Sequence, residues 1–372
     1  MQVTIVGGGM ISHDQLLPSL FQLQRLGMLG DITVCARHQR TIDALRESDE
    51  LQRAFPDRSF RACIGNYEQA KGNLVVIALP DHLHFDAILN AVRADQHLLV
   101  VKPLVLKAAE AEIIEREAFN RGLFVGIEYH KRFDDRSLMA RRKYRAGDFG
   151  EFRLGTACLM EKWHYRHSNF QNWCTTENSD AFTYIGCHYV DLVHFITGLQ
   201  PVSVSVYGIQ DQYPNGNEGF LWTDARVVWS NGACLNVQNS LSFPDEAPGT
   251  NTQGLTMHCA GRDGGALIRH SDQYRGLEYV YTGQPYAEPS PDYFQYVDLG
   301  GDGLTPVGYG YRSIEYLVRC AQRVESAADR QQAIREIDAE GIAATPANSR
   351  CNERVIEAAR KSILRGGPVI SV

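Results

Sequence analysis

An apolar run, Gln2-Val3-Thr4-Ile5-Val6, ends in three consecutive glycines, Gly7-Gly8-Gly9. A buried strand that runs into glycines is entering a sharp turn, where freedom from a Cβ matters most. The same theme then repeats. HDQLLPSLFQLQRL has helical periodicity, DITVCAR is a second strand, TIDALRESDELQRAF is helical, and NLVVIALP is an apolar strand ending in proline. HFDAILNAVRAD (helix), HLLVVKP (strand), AAEAEIIEREAFNRG (amphipathic helix) and LFVGIEY (strand) carry the alternation to residue 128. Strands and helices alternating at this spacing predict an α/β fold built on a doubly wound, mostly parallel Rossmann sheet.

With 372 residues, the chain is too long for one small core and divides into domains. Beyond about residue 150 the texture changes. VSVSVYGI, TDARVVWS, CLNVQNSL, GLTMHCAG and GALIRHSD are strand-like, several with period-two alternation, and SNG and PNG turns separate them. They predict a second α/β domain with a large, mainly antiparallel open sheet. CNERVIEAARKSILRGG reads as a closing helix with a Gly-Gly stop. The expected boundaries are 1–128 for the Rossmann domain and 129–340 for the second domain. Residues 341–372 are expected to hold a helix packing back on the first domain.

A formal charge of −7 and a pI near 6.0 exclude a nucleic-acid surface, which needs a basic stripe. No apolar run approaches the ~20 residues that span a bilayer, and the first residues lack the charged start and apolar run of a secretory signal. The nine cysteines are scattered, with no CxxC pair and an odd total. That pattern predicts reduced, inert thiols in a cytoplasmic protein. The histidines form neither HxxxH nor HExxH, so no metal site is expected.

Gly7-Gly8-Gly9-Met10-Ile11-Ser12 matches GxGxxG with Ser12 in the third position. Gly7 permits the tight turn and Gly9 lets backbone approach a pyrophosphate, which the following helix N-terminus would bind. A small serine suits the third place, where helix packs on sheet. At the end of the second strand, Val34-Cys35-Ala36-Arg37-His38-Gln39-Arg40 offers no acid to hold an adenosine ribose. A missing carboxylate beside an arginine accommodates a 2′-phosphate, which points to NADP over NAD. Adenine stacking or plain solvent exposure is the alternative for Arg37.

These pieces together resemble the Gfo/Idh/MocA family of oxidoreductases. The resemblance rests on GGGMIS at the start, ALPDHLH (78–84), HLLVVKPL (97–104), EYHKRF (128–133), GDFGEF (147–152), GCHYVDL (186–192) and IEAARKSILRGGPV (356–369), all in family order. It implies a Rossmann domain followed by an α/β domain whose open sheet mediates homodimers or homotetramers. It also implies hydride exchange between NAD(P) and a hydroxyl carbon of a sugar, cyclitol or glycoside. Two other readings stay open: a tightly held nucleotide that assists glycoside elimination or hydrolysis, and a non-catalytic, nucleotide-binding regulator.

The resemblance also assigns residues. Lys102 matches the lysine of the family's EKP motif, at the carboxyl end of a strand where it can hydrogen-bond a reacting hydroxyl. Val101 replaces the motif's glutamate, and Pro103 holds the turn in a cis or a trans bond. Met10, Ile11, Arg37, His38, Leu79, Pro80, His82, Lys102, Pro103 and Arg132 are implied cofactor contacts beside Gly7 and Gly9. His84 reads as structural.

FTYIGCHYVDLVHF (182–195) is the predicted catalytic helix. His188 matches the family's catalytic histidine and titrates near neutrality, which suits it to take an alcohol proton. Tyr184 stands where many members carry an aspartate, and its ordinary pKa of ~10 makes it a hydrogen-bonding group rather than an anion. Asp180, a turn earlier, is the candidate replacement carboxylate and a substrate contact. Asp191 points to another face and reads as structural. Tyr129, Trp163, Tyr165 and Arg166 complete the expected substrate contacts, since aromatic faces and hydrogen-bonding heads suit a sugar ring. A core-and-loop role for that cluster is the competing reading.

Overall fold

The computed structural model describes residues 1–65, 72–261, 264–271, 280, 282 and 292–372. The chain divides into two compact units. The first comprises Met1–Val105, Ala109–Phe133 and Pro291–Asn348, and the second Leu106–Ala108, Asp134–Ser290 and Ser349–Val372.

The first unit opens with β1 (Val3–Val6), α1 (Leu17–Arg25), β2 (Ile32–Ala36), α2 (Gln39–Arg46) and α3 (Asp49–Ala54). It continues through β3 (Arg61–Ile64), β4 (Leu74–Ile77), α4 (His84–Arg93), β5 (His97–Val101), α5 (Ala108–Asn120) and β6 (Val125–Glu128). The six strands form one sheet in the order β3-β2-β1-β4-β5-β6, with every pair parallel. Strand order reverses between β1 and β4, the switch point at which such sheets open a ligand crevice.

Two helices differ from the sequence expectation. The helical run starting at His13 begins with a π-helical turn, Ser12–Leu16, before α1. The run TIDALRESDELQRAF breaks into α2 and α3, because Ser48 takes extended backbone and its Oγ accepts the Leu51 N–H at 3.3 Å. A serine with an acidic first turn behind it is a helix start, not an interior position.

The second unit contains α6 (Asp135–Arg145), β7 (Phe152–Lys162), a π-helical turn Phe182–Gly186 leading into α7 (Cys187–Thr197), β8 (Pro201–Gln212) and β9 (Glu218–Trp229). β10 (Cys234–Phe243), β11 (Asn251–Cys259) and β12 (Ala266–Ser271) follow. The chain then supplies β13 (Gln295–Val297), β14 (Thr305–Val307), α8 (Tyr309–Ser326) and α9 (Arg330–Glu340) to the first unit. It ends in the second with α10 (Arg350–Ile363) and β15 (Ile370–Ser371). The larger sheet runs β12-β11-β7-β10-β9-β8-β15, antiparallel except for the β7–β10 pair.

The final segment groups with the second unit. Its Ile363 packs on β8, where a Cβ on Gly208 would sit 2.4 Å from Ile363 Cδ1. The helix that covers the Rossmann sheet is α8, whose Ile314, Leu317, Val318 and Ala321 join Val3, Ile5, Leu20 and Val76 in one buried cluster. Its apolar residues recur at helical spacing, which is what allows it to take that place.

Candidate active site

The glycine turn of the first unit is built as its sequence implies. Gly7 has φ of +111°, and a Cβ there would lie 2.0 Å from the Ala78 carbonyl oxygen on the far side of the switch point. Its N–H donates to Cys35 O at 2.9 Å, tying the turn to the end of β2. A Cβ on Gly8 would strike Thr41 Cγ2 at 2.8 Å, whereas one on Gly9 would meet nothing within 4 Å. Gly9 therefore leaves open space where a ligand could approach backbone. Ser12 is fully buried, and its Oγ donates to Gly7 O at 2.6 Å. The serine thus closes the turn with its side chain, which the third glycine of a standard fingerprint could not do.

Met10 is exposed and Ile11 half-buried on this turn, while Arg37, His38 and Arg40 are exposed beyond β2. Leu79 and Pro80 are half-buried at the end of β4, and His82 is exposed. His84 is fully buried; its Nε2 lies 2.8 Å from Leu79 O and its Nδ1 2.8 Å from Pro103 O. One imidazole thus joins the ends of β4 and β5, holding both segments that carry expected cofactor contacts. Lys102 follows β5, half-buried, with a cis bond to Pro103.

The carboxylate missing at Val101 has a neighbour. Glu128 pairs directly with Val101 across β5 and β6 and is buried. It accepts hydrogen bonds from Gln15 Nε2 at 2.8 Å and Ser313 Oγ at 2.6 Å, with His130 Nδ1 at 3.1 Å. Sequence reasoning passed over this residue because strand register, not the motif EYHKRF, puts it there. Tyr129 is completely buried and Arg132 is 2% exposed. Both are packed into the protein where β6 ends.

In the second unit, Tyr184 lies in the middle of the π-helical turn and His188 is the second residue of α7, nearly buried. The Tyr184 ring meets Phe170 edge-on at 4.6 Å and Trp173 at 5.8 Å. Tyr165 contacts the same Phe170 at 5.5 Å, so these aromatics form one cluster with Tyr213, Leu221 and Leu241. Gly186 makes the turn possible against β10, since a Cβ would sit 2.4 Å from Asn239 Oδ1.

Asp180 is held by partners within the second unit. Its Oδ1 accepts the Thr183 N–H at 2.8 Å, and its Oδ2 accepts Thr183 Oγ1 and Arg360 Nη1, each at 2.9 Å. It caps the π-helical turn and pairs with α10. Asp191, read as structural, accepts from Asn352 Nδ2 at 2.8 Å. Arg166 is likewise engaged: Nη2 donates to Asp211 at 2.7 Å and to Gln212 O at 2.9 Å, while its guanidinium stacks 4.1 Å from the Trp163 ring. Trp163 itself is 40% exposed. Beside it, Lys162 is buried against the carbonyls of Pro244 and Asp245 at 2.9 and 3.1 Å, and burial lowers its pKa.

Fold and site together define a nucleotide-binding α/β protein whose Rossmann half precedes a mixed-sheet domain. The chain belongs to the Gfo/Idh/MocA oxidoreductase family. The family model for the oxidoreductase family, NAD-binding Rossmann fold, matches residues 1–129, and that for the GFO/IDH/MocA C-terminal domain matches residues 137–266. A scyllo-inositol 2-dehydrogenase (NADP(+)) of Bacillus subtilis is 22% identical over 192 residues, covering 47% of this chain and 52% of that protein. An inositol 2-dehydrogenase of Saccharopolyspora erythraea is 25% identical over 210 residues, covering 56% and 57%. The chain spans about half the length of these curated relatives. Among solved structures, GenD2 from gentamicin A biosynthesis, in complex with NAD, superposes with a TM-score of 0.72 at 17% identity, covering 100% of this chain and 96% of that one. Scyllo-inositol dehydrogenase from Lactobacillus casei, with NAD(H) and scyllo-inositol, gives 0.68 at 14% identity, covering 100% and 98%.

Proposed function

We propose that this protein exchanges hydride between NADP and a hydroxyl-bearing carbon of a cyclitol, sugar or glycoside. The observation that carries the reading is the Gly7–Ser12 turn, closed by Ser12 and open above Gly9 at the switch point of a parallel sheet. The residues at the end of β2 support NADP: Arg37, His38 and Arg40 are exposed and no carboxylate stands among them.

When bound, the nicotinamide supplies the hydride acceptor or donor. The chain's own work is to bind, orient and handle the proton. Lys102 Nζ or His188 takes the hydroxyl proton as the carbinol carbon is oxidised, and the Tyr184 hydroxyl orients that group. Glu128, on the strand beside Lys102's, keeps a carboxylate near the position that Val101 vacates. Trp163 and Tyr165 offer the aromatic faces for a ring substrate, and Asp180 and Arg166 hold the framework behind them.

A homodimer or homotetramer is part of the same proposal. Leu154, Tyr207, Ile209 and Leu267 are exposed apolar side chains on strands of the large sheet, more than isolated surface residues would require.

The test is a panel of cyclitols, sugars and glycosides, scyllo-inositol first, screened for nicotinamide absorbance change with NADP and with NAD. Turnover should appear with at least one polyol and vanish in Lys102→Ala, which should still bind nucleotide. Nucleotide binding without turnover of any polyol would overturn the catalytic reading and favour the regulator.

A further inference from the structure

Cys35 and Cys63 are register partners on the parallel strands β2 and β3. Partnered residues on neighbouring strands project to the same face from backbones about 4.8 Å apart, within the Cα range that a disulfide spans. Besides burial, the Cys63 side chain acts on the Cys35 thiol and raises its pKa. Cys35 is buried and Cys63 half-buried, so an oxidant can reach one member of the pair and not the other. β3 is also the edge strand of its sheet, only four residues long and mostly exposed. It can therefore yield to bridging without disturbing a core.

The pair also adjoins the nucleotide turn. Cys35 O accepts the Gly7 N–H at 2.9 Å, and Ala36 O accepts the Gly65 N–H at 3.1 Å, two residues beyond Cys63. We propose that Cys35 and Cys63 form a site of reversible oxidation to a disulfide, by hydrogen peroxide, and that bridging weakens nucleotide binding. The second half rests on the nucleotide reading above; the first does not.

The chemistry balances. The Cys63 thiolate attacks a peroxide oxygen, the O–O bond breaks, and the released hydroxide takes up the Cys63 proton as water, leaving a sulfenic acid. The Cys35 sulfur then attacks the Cys63 sulfur, the S–O bond breaks, and the hydroxyl leaves as water with the Cys35 proton. Two thiols and one peroxide give one disulfide and two waters. Burial pushes the Cys35 thiol up to about 12, with the Cys63 contact adding to it, so the attack on peroxide falls to Cys63. Closing the bond brings the sulfurs to about 2.05 Å, drawing β3 toward β2 and tilting the carbonyls that hold Gly7 and Gly65.

Trypsin separates the two cysteines, into peptides 26–37 and 62–71. After treatment of the full chain with hydrogen peroxide, non-reducing digestion and mass spectrometry should find these two peptides joined with loss of two hydrogens, and dithiothreitol should separate them. NADP affinity, measured by titration, should fall several-fold on oxidation, recover on reduction, and stay unchanged by peroxide in Cys63→Ser. Peroxide adducts on Cys63 with no link to Cys35, or a link that leaves NADP affinity unchanged, would overturn the proposal. If reduced protein binds neither NADP nor NAD, the nucleotide reading fails instead, and an unlinked pair of peptides then sinks the disulfide on its own.

Discussion

Tyr184 stands where the family resemblance places an aspartate, and its surroundings explain why a tyrosine fits. A carboxylate would have to sit among the rings of Phe170 and Trp173, where burial disfavours charge. A phenol offers those rings an aromatic edge and keeps a polar tip. Tyr184→Phe preserves the packing and removes only the hydroxyl. Its melting temperature should match the parent's, and kcat/KM should fall by the ~1–3 kcal/mol of one lost polar contact. Unchanged kinetics would make the tyrosine a packing residue. Asp180 shows the limit of reading such a site from sequence. Its spacing from Tyr184 and His188 was visible, but its partner Arg360 lies 180 positions further on. Glu128 was hidden for a related reason, because only strand register sets it opposite Val101.

At the scale of elements, strands with strong alternation or continuous apolar runs were legible, and weakly patterned ones were not. β9 buries alternate residues from Gly219 to Trp229. β3 exposes most of its residues, and β7 has charge near both ends and small side chains in its middle, so neither announces itself. Yet β7 sits between β11 and β10, a place that depends on its neighbours rather than its own composition. A capping residue alone did not make a helix start legible: Asp134 caps α6 just as Ser48 caps α3. That aspartate accepts the Arg136 N–H at 2.9 Å, pairs with the Arg136 guanidinium at 2.7 Å and faces His270 Nε2 at 3.1 Å. Its burial would raise the carboxyl pKa, but the hydrogen bonds from His270 and Arg136 outweigh it and hold the group well below the ordinary value. A depressed folded pKa contributes stability above the unfolded value of ~4, lost as pH falls through the folded one. Asp134→Asn should therefore cost roughly 1–3 kcal/mol in urea denaturation at neutral pH, and the gap to the parent should narrow once pH drops below about 4. Arg360→Ala strands the buried Asp180 carboxylate, for which a loss of about 3–5 kcal/mol is expected. Urea denaturation with near-parental stability would show that the ion pair contributes little.

For the whole molecule, alternation from β1 to β6 revealed the first unit, and the change of texture after residue 150 revealed the second. The return of residues 291–348 to the first unit was not legible, because α8 is amphipathic in a way that any sheet could satisfy. A nucleotide that binds only the folded chain should raise its melting temperature. At a hundredfold excess over Kd the stabilisation is about 2.7 kcal/mol, which differential scanning fluorimetry resolves. NADP should give the larger shift and NAD the smaller. No shift with either would remove the nucleotide assignment.

The grip of α10 on α7 and the turn before it, through Asn352 to Asp191 and Arg360 to Asp180, sets an order on biosynthesis. At ribosomal speeds of about 5–20 residues per second, the 180 positions separating Asp180 from Arg360 take roughly 10–40 s to emerge. Through that interval the turn carrying Tyr184 has its carboxylate cap and not its guanidinium. The Rossmann sheet waits nearly as long, because α8, whose Ile314, Leu317 and Val318 join its buried cluster, emerges only shortly before Arg360.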